Sequence, residues 1–354
     1  MKAKVCFLII LFLLMLAVPA AVIGFSSPES ISPQGETVLE ESGPSSVGSD
    51  SASQASSAPQ SSEPNTQDQG SFHVLDESTG KIQELSYSDF LIGVVSAEMP
   101  LSFQEEALKA QAVASMTFFL KKKEAQEASP DAALKGADFS LDFSKGPGYL
   151  TDQKLQEKWG DAYGENRKKI EKICQDVQNQ VLRDSDEALI TAAYHAISGG
   201  VTEASADVFA QARQYLVEVP SPGDYLAPGY QTTVTVSPEE FQAKAASAWP
   251  GIKLDGEPQT WVGESQKTAA GSVKTIKIGS AEAAGEEVRQ AFSLRSANFD
   301  LIFSEGSFLF TVRGYGHGVG MSQYGANFMA AQGATYEEIL AWYYPGTKIE
   351  RLIA

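Results

Sequence analysis

The chain has 354 residues, of which 43% are hydrophobic and 20% are charged, so it is long enough to bury a substantial core. Its formal net charge is −18. Residues 26–70 contribute −7 from seven acids and no bases, and the two lysines before them contribute +2, so residues 71–354 carry −13. Nucleic acid and anionic membranes are recognised by basic faces, so the charge argues against both as partners and favours a neutral or cationic one.

Two segments precede the predicted domain. Residues 5–25 are uncharged and apolar, about the 20 residues that a membrane-spanning helix needs, and they predict a signal anchor. A Pro-Ala-Ala sequence near the end leaves open a cleaved signal peptide, although such a peptide has an apolar core of only roughly 7 to 15 residues. The preceding lysines predict a single-pass cell-membrane protein with its domain on the extracytoplasmic side. Residues 26–70, rich in Ser, Pro and Gln, are typical of a disordered stalk, so residues 71–354 are expected to form the folded domain.

Metal and disulfide chemistry find little support in the composition. The two cysteines, Cys6 and Cys174, include one in the apolar segment, so neither an intrachain disulfide in the domain nor a Cys-x-x-Cys site is available. A zinc site would need all three histidines, His73, His195 and His317, or carboxylates at unrelated spacings. The sequence therefore predicts no metal and no cofactor.

The domain is predicted to begin with a hairpin and two helices. The runs HVLD and KIQEL flank a turn at residues 77–80. A first helix over 88–100 is stopped by its proline, and Ser102 with Glu105 matches a capping box that opens a second helix to about Lys123. The apolar faces expected of the two helices consist of Phe90, Leu91, Val94, Val95 and Met99 in the first and Leu108, Ala112, Met116, Phe119 and Leu120 in the second.

Glu98 stands in the last turn of the first helix, between Ala97 and Met99. The negative end of the helix dipole and apolar neighbours would both raise the pKa of this carboxyl, as a general acid at neutral pH requires. The alternative is a carboxylate that is merely solvated at a helix end.

The middle of the domain is predicted to contain a helical run over about 152–177 and a hairpin that turns at residues 184–186. This hairpin leads to His195, which could pack or face a cleft, and to Ser198 in a Ser-Gly-Gly loop. Ser198 does not lie in a Gly-x-Ser-x-Gly elbow, and no spacing supports a serine triad.

The last part alternates short strands with helices. Expected strands are YQTTVTVS, VKTIKIG, VRQAFSL, FDLIF and SFLFTV, with a helix capped by Ser237 after the first of them. The glycine-rich stretch RGYGHGVG, residues 313–320, then leads to a helix capped by Ser322, and a short helix over 336–344 follows. Glycines on both sides of His317 indicate close approach to another backbone or to a ligand. These elements predict an α+β fold with mixed helices and short antiparallel strands around one cleft. The aromatic residues that could form a sugar-stacking platform, or simply core, are Tyr315, Tyr324, Trp342, Tyr343 and Tyr344.

Four passages resemble the stage II sporulation protein D family, whose domain also occurs in amidase enhancers. They are FLIGVVSAEMPLSFQEEALKAQAVAS (90–115), YHAISGGVTEASADVF (194–209), YLVEVPSPGD (215–224) and RGYGHGVGMSQYGANFMAAQGATYEEILAWYYPGT (313–347). The resemblance implies a membrane-anchored lytic transglycosylase acting in sporulation engulfment, on peptidoglycan glycan strands that an amidase partner has stripped of stem peptides. Other membrane-anchored engulfment proteins are implied as further partners.

In the family's Ala-Glu-Met-Pro motif the glutamate is the catalytic acid, and the resemblance implies this role for Glu98. The implied reaction gives a 1,6-anhydro sugar without water, so one carboxyl group serves both steps, unlike the carboxylate pair of ordinary glycosidases. The residues expected to bind substrate or line the cleft are Gln111, Ser198, His317, Gln323 and Tyr324.

Two departures from the family pattern bear on activity. Residues 74–173 contain no Cys or His, so the zinc ion of some family members is not expected, and Met116 replaces a usual arginine. The rival hypothesis is a non-catalytic glycan-binding activator of a cell-wall amidase, in which Glu98 only accepts a hydrogen bond.

Overall fold

The computed structural model describes residues 70–143, 148–209 and 211–352. The predicted anchor and all but the last residue of the predicted stalk lie outside this range. Within the described residues, no helix combines the length and the apolar character needed to cross a membrane. The described part has the predicted α+β architecture, with short and mostly antiparallel strands.

The first half of the domain is mainly helical. Its elements are β1 Ser71–Asp76, β2 Lys81–Ser86, α1 Tyr87–Glu98, α2 Glu105–Ala128, β3 Phe139–Leu141, α3 Asp152–Trp159, α4 Tyr163–Asp176, β4 Gln180–Arg183, β5 Tyr194–His195 and α5 Ser205–Val208.

Most of the strands lie in the second half. Its elements are β6 Gln231–Val236, α6 Pro238–Ala248, β7 Val262–Lys267, β8 Val273–Ile278, β9 Ala281–Ala284, α7 Gly285–Phe292, β10 Phe299–Ser304, β11 Ser307–Arg313, β12 Met321–Ser322, α8 Gln323–Ala331, α9 Tyr336–Tyr343 and β13 Lys348–Arg351.

Two hydrophobic cores organise these elements. The first gathers buried residues from 72–216 and again from 319–344, whereas the second lies wholly within 236–312. The chain therefore leaves the first core, builds the second, and returns to the first. The aromatic ring of Phe90 in α1 illustrates the dense packing of the first core, because it meets Phe119 of α2 edge-on at 4.8 Å.

The return to the first core runs through the glycine-rich stretch. In the second core, β11 lies between β10 and β6, and its alternate residues point inward, as a strand with one buried face requires. After β11 the chain passes residues 314–320 and pairs β12 in parallel with β5, so that Met321 lies opposite Tyr194. This short pairing places the start of α8 against the helices of the first core.

Several predicted elements are confirmed. The hairpin β1–β2 has the expected turn, and Ser237 and Ser322 cap α6 and α8 through their side chains. The helical run over 152–177 is present but is interrupted by a short 3-10 turn at Gly160, whose φ of 49° breaks the regular helix.

Two local predictions are wrong. Helix α2 begins at Glu105 with Gln104 as its N-cap, and no side chain caps it, so Ser102 does not form a capping box. The segment VRQAFSL is not a strand; its first five residues form the larger part of α7, whose buried residues follow helical spacing. The carboxylate of Glu287 accepts a hydrogen bond from the Ala284 amide and so replaces a conventional cap.

Candidate active site around Glu98

Glu98 is the last residue of α1. The helix ends there because Met99 adopts an extended conformation and Pro100 follows it. The side chain is only 6% exposed, and this burial raises the pKa of the carboxyl group to about 7, against a lowering contribution from a hydrogen bond donated by Gln323. The expected direction of the pKa shift is confirmed, and the main cause is removal from water.

A buried amide network holds one oxygen of this carboxyl group. Gln323 Nε2 lies 3.2 Å from Glu98 Oε2 and 3.4 Å from Gln111 Oε1, and Gln111 Nε2 donates to Ser115 Oγ at 3.0 Å. Gln111 and Ser115 lie one turn apart on α2, whereas Gln323 is the first residue of α8. The structure thus brings two of the predicted site residues, Gln111 and Gln323, to Glu98.

The other oxygen of the carboxyl group, Oε1, lies outside this network. Within the described ranges, Glu98 Oε1 is buried and has no hydrogen-bond partner. A buried polar atom in this state is unfavourable unless the group is protonated or meets a ligand. Since the pKa is about 7, both protonation states are populated at neutral pH, and the group can donate a proton and later take one back.

The turn after α1 joins Glu98 to Tyr324. Phe103 packs edge-on against Tyr324 with ring centroids 5.0 Å apart, and the Gln104 amide donates to Asn327 Oδ1 at 2.8 Å. Tyr324 is half-buried and follows Gln323 in α8, so this predicted residue also lies at the site. The low exposure of Glu98 shows that its carboxyl group is nearly covered, so the alternative of a carboxylate merely solvated at a helix end is wrong.

Ser198 lies in a different cluster, behind the start of α8. Its amide and hydroxyl groups both donate to Asp224 Oδ2, and Ser322 Oγ donates to Asp224 Oδ1 at 2.7 Å. Burial raises the pKa of Asp224 to about 6, while these hydrogen bonds lower it. Ser198 therefore supports the N-terminus of α8 rather than contacting Glu98. Asp224 was missed because an aspartate in a Pro-Gly turn is usually solvated.

His317 lies against His195 and Phe209, with ring centroids 5.8 Å and 5.4 Å away, and its Nδ1 accepts from the Val319 amide. His195 is fully buried, which answers the question of whether it packs or faces the cleft. Burial lowers the pKa of His195 to about 4 and that of His317 to about 3, so both rings are neutral at neutral pH. In the described part of the chain, no group of three or more His, Cys, Asp or Glu residues is arranged to hold a metal.

The glycine-rich stretch fits against the chain itself. An added Cβ at Gly320 would lie 1.9 Å from the Ala193 carbonyl oxygen, and one at Gly316 would lie 2.8 Å from the Cβ of His195. Both glycines also have positive φ, at 74° and 107°. The glycines are thus explained by backbone packing against residues 193–203 and do not by themselves indicate a ligand.

The remaining sequence candidates are mostly core. Met116, in the position of the family's usual arginine, is 1% exposed within the first core. Tyr343 and Tyr344 are buried, whereas Trp342 is exposed and donates from Nε1 to the Pro220 carbonyl. The five aromatic residues therefore do not form one sugar-stacking platform.

Comparison with known proteins assigns the family. A sequence model described as "Stage II sporulation protein" matches residues 75–210. Stage II sporulation protein D of Bacillus amyloliquefaciens is 36% identical over 277 residues, which cover 78% of this chain and 77% of that protein. The protein of the same name from Bacillus subtilis (strain 168) is also 36% identical, over 271 residues, 76% of this chain and 75% of its own. An "Amidase enhancer" of Bacillus subtilis (strain 168) is 27% identical over 73% of this chain and 40% of its own length. With this identity maintained over three quarters of both chains, the protein belongs to the stage II sporulation protein D family.

Proposed function

We propose that this protein is a lytic transglycosylase that cleaves the bond from N-acetylmuramic acid to N-acetylglucosamine in peptidoglycan glycan strands, with Glu98 as the proton carrier. The observation that carries the proposal is the buried Glu98 carboxyl group, whose pKa is about 7 and whose Oε1 has no partner among the described residues. Family membership supports a role in sporulation, and we propose that the chain acts at the extracytoplasmic side of the cell membrane.

In the first step, protonated Glu98 donates its proton to the glycosidic oxygen, and the bond between this oxygen and C1 of the muramic residue breaks. Positive charge develops at C1, next to the carboxylate that has just formed. In the second step, the C6 hydroxyl oxygen attacks C1 and its proton passes to Glu98. The product is a 1,6-anhydro end, no water is consumed, and Glu98 returns to its protonated form.

The surroundings of Glu98 suit this cycle. Gln323 donates to Oε2 and fixes the orientation of the carboxyl group, which leaves Oε1 to exchange the proton. Burial keeps the pKa near the working pH and excludes the water that would compete with the C6 hydroxyl.

A second candidate function is activation of a cell-wall amidase without catalysis. It is favoured by the relative named as an amidase enhancer and by the low exposure of Glu98. In this case Glu98 would accept a hydrogen bond from bound glycan or simply hold α8 through Gln323.

The test is to incubate the full chain with amidase-stripped glycan strands and to search the products by mass spectrometry for anhydro ends. Loss of a positioned general acid typically slows a reaction by about 10²-fold to 10⁴-fold, so Glu98→Gln should lose nearly all product. Glu124→Gln, which alters an exposed acid on α2, should retain it. If the wild type and Glu98→Gln give the same yield of anhydro ends, including none, catalysis by Glu98 is refuted.

A further inference from the structure

Arg295 takes no part in the proposed proton transfer, but a series of aromatic contacts connects it to the turn that follows Glu98. Phe103 lies in the turn after Glu98, and its ring packs on that of Tyr324. Tyr324 and Tyr315 pack against the same small cluster of buried residues, and the Arg295 guanidinium group lies over the ring of Tyr315 at 4.4 Å. A cation and two half-buried tyrosines thus continue the site beyond Glu98.

The guanidinium group of Arg295 is only partly satisfied. Its Nη1 donates to the Gly229 carbonyl oxygen at 2.9 Å and its Cζ lies 4.4 Å from the centre of the Tyr315 ring, so two contacts restrain the group. Within the described residues, Nη2 is buried without a hydrogen-bond partner, and the groups that act electrostatically on this arginine are Tyr315 and Tyr324 rather than carboxylates. The domain carries a large excess of acids, so an arginine left without one is a local site for an anion.

The geometry favours a planar anion. A guanidinium group recognises carboxylates through parallel N–H donors, and the contacts with Gly229 and Tyr315 restrain the orientation of these donors. In the substrate class proposed above, one group fits: the lactyl side chain of muramic acid ends in a carboxylate once the stem peptide has been removed, and in a neutral amide while the peptide remains.

We propose that Arg295 binds the lactyl carboxylate of a muramic residue and thereby makes the site selective for stripped glycan strands. This inference rests on the proposed function, because it takes its ligand from that substrate. Arg295 is a specificity-determining residue in this scheme and takes no part in proton transfer. Tyr315 and Tyr324 would support the sugar ring next to the carboxylate.

The test measures binding in a Glu98→Gln background, so that cleavage does not consume the ligand. One ligand is a stripped glycan strand, and the other is the same strand with its lactyl carboxylates converted to N-methylamides. A charge-assisted hydrogen bond of ordinary strength corresponds to about tenfold in affinity, so the free carboxylate should bind at least about tenfold more tightly. Adding Arg295→Gln should remove this preference.

Arg183 supplies the matched control. Like Arg295, it donates from Nη1 to a backbone carbonyl, that of Glu187, but it lies on β4 and pairs with Glu350. Arg183→Gln should leave the preference for the free carboxylate unchanged. A preference that survives Arg295→Gln, or is absent before it is introduced, overturns the proposal.

A second measurement avoids any folding defect of the variant. Arg295 is half-buried, so phenylglyoxal should modify its guanidinium group slowly but measurably. Mass spectrometry locates the modified arginine in the otherwise unaltered chain. Stripped strands should slow modification of Arg295 and the N-methylamide strands should not; equal rates would overturn the proposal. The two proposals can also fail separately. If the wild type yields anhydro products but shows no preference for the free carboxylate, only the role of Arg295 is refuted. If it shows the preference but yields no anhydro products, only the catalytic role of Glu98 is refuted.

Discussion

Replacing Glu98 by glutamine should stabilise the folded protein at alkaline pH. The folded state holds the proton of this carboxyl group more tightly than the unfolded chain does, because burial raises its pKa from 4.5 to about 7. Between these two values the folded state binds more protons, so the stability of the wild type falls as the pH rises through this window. Glutamine has the same shape and no charge, and it removes this loss.

The size of the effect follows from the pKa shift. One pKa unit corresponds to about 1.36 kcal/mol, so the difference in Glu98 ionisation between the folded and unfolded states lowers the free energy of unfolding by about 3 kcal/mol at pH 8 and by about 1 kcal/mol at pH 5. The advantage of Glu98→Gln over the wild type should therefore grow by about 2 kcal/mol between pH 5 and pH 8. Comparing two pH values cancels any constant effect of the new amide group.

Urea unfolding of the wild type and of Glu98→Gln at both pH values measures this difference. Glu124→Gln is the control, because Glu124 is exposed on α2 and its replacement should give almost the same difference at both pH values. If the gap between Glu98→Gln and the wild type is equal at pH 5 and pH 8, or is smaller at pH 8, the assignment of a buried, high-pKa acid is refuted.

Three further predictions concern neighbouring parts of the site. Gln323→Leu removes the hydrogen bond that lowers the pKa of Glu98, so the alkaline limb of the kcat/KM profile should move to higher pH; an unchanged or lowered limb would contradict the network. Burial lowers the pKa of His195 to about 4, so this residue takes up a proton on unfolding at pH 5 but not at pH 8. The free energy of unfolding of the wild type should therefore fall by about 2 kcal/mol between pH 8 and pH 5 through His195 alone. In urea unfolding, His195→Gln should lose about 2 kcal/mol less than the wild type over the same range. Gly320→Ala places a Cβ 1.9 Å from a carbonyl oxygen and should prevent stable folding. Gly333→Ala is also at positive φ but has nothing within 4 Å of the new Cβ, so it should cost only about 1 to 2 kcal/mol. Equal melting temperatures of the two variants would argue against the packing described for Gly320.

The helices and strands with strong local signals could be read before the structure was known. The spacing of apolar residues and a following proline place Glu98 in the last turn of α1, and serine caps mark the starts of α6 and α8. These features depend on residues within one or two turns of each other. The same local reasoning failed at α7, where a short apolar run fits either period and packing against the second core decided for the helix.

Pairings between distant residues could not be read in this way. Gln323 lies 225 positions after Glu98, and nothing near either residue indicates that the amide of one will orient the carboxyl group of the other. Ser198 was expected at the substrate, but its amide and hydroxyl groups donate to Asp224, a buried residue 26 positions away. Asp224 also accepts from Ser322 at the start of α8. The glycines around His317 indicated close approach, and only the fold shows that the partner is the backbone of residues 193–203.

Local sequence thus marks Glu98 as a candidate acid and accounts for the helix end on which it lies, because helix termination and dipole direction are properties of a few consecutive residues. The tertiary packing of the two cores decides three further features: how deeply this residue is buried, which amide orients it, and where the unpaired arginine lies. Those contacts depend on packing over hundreds of residues, and the tertiary structure alone determines them.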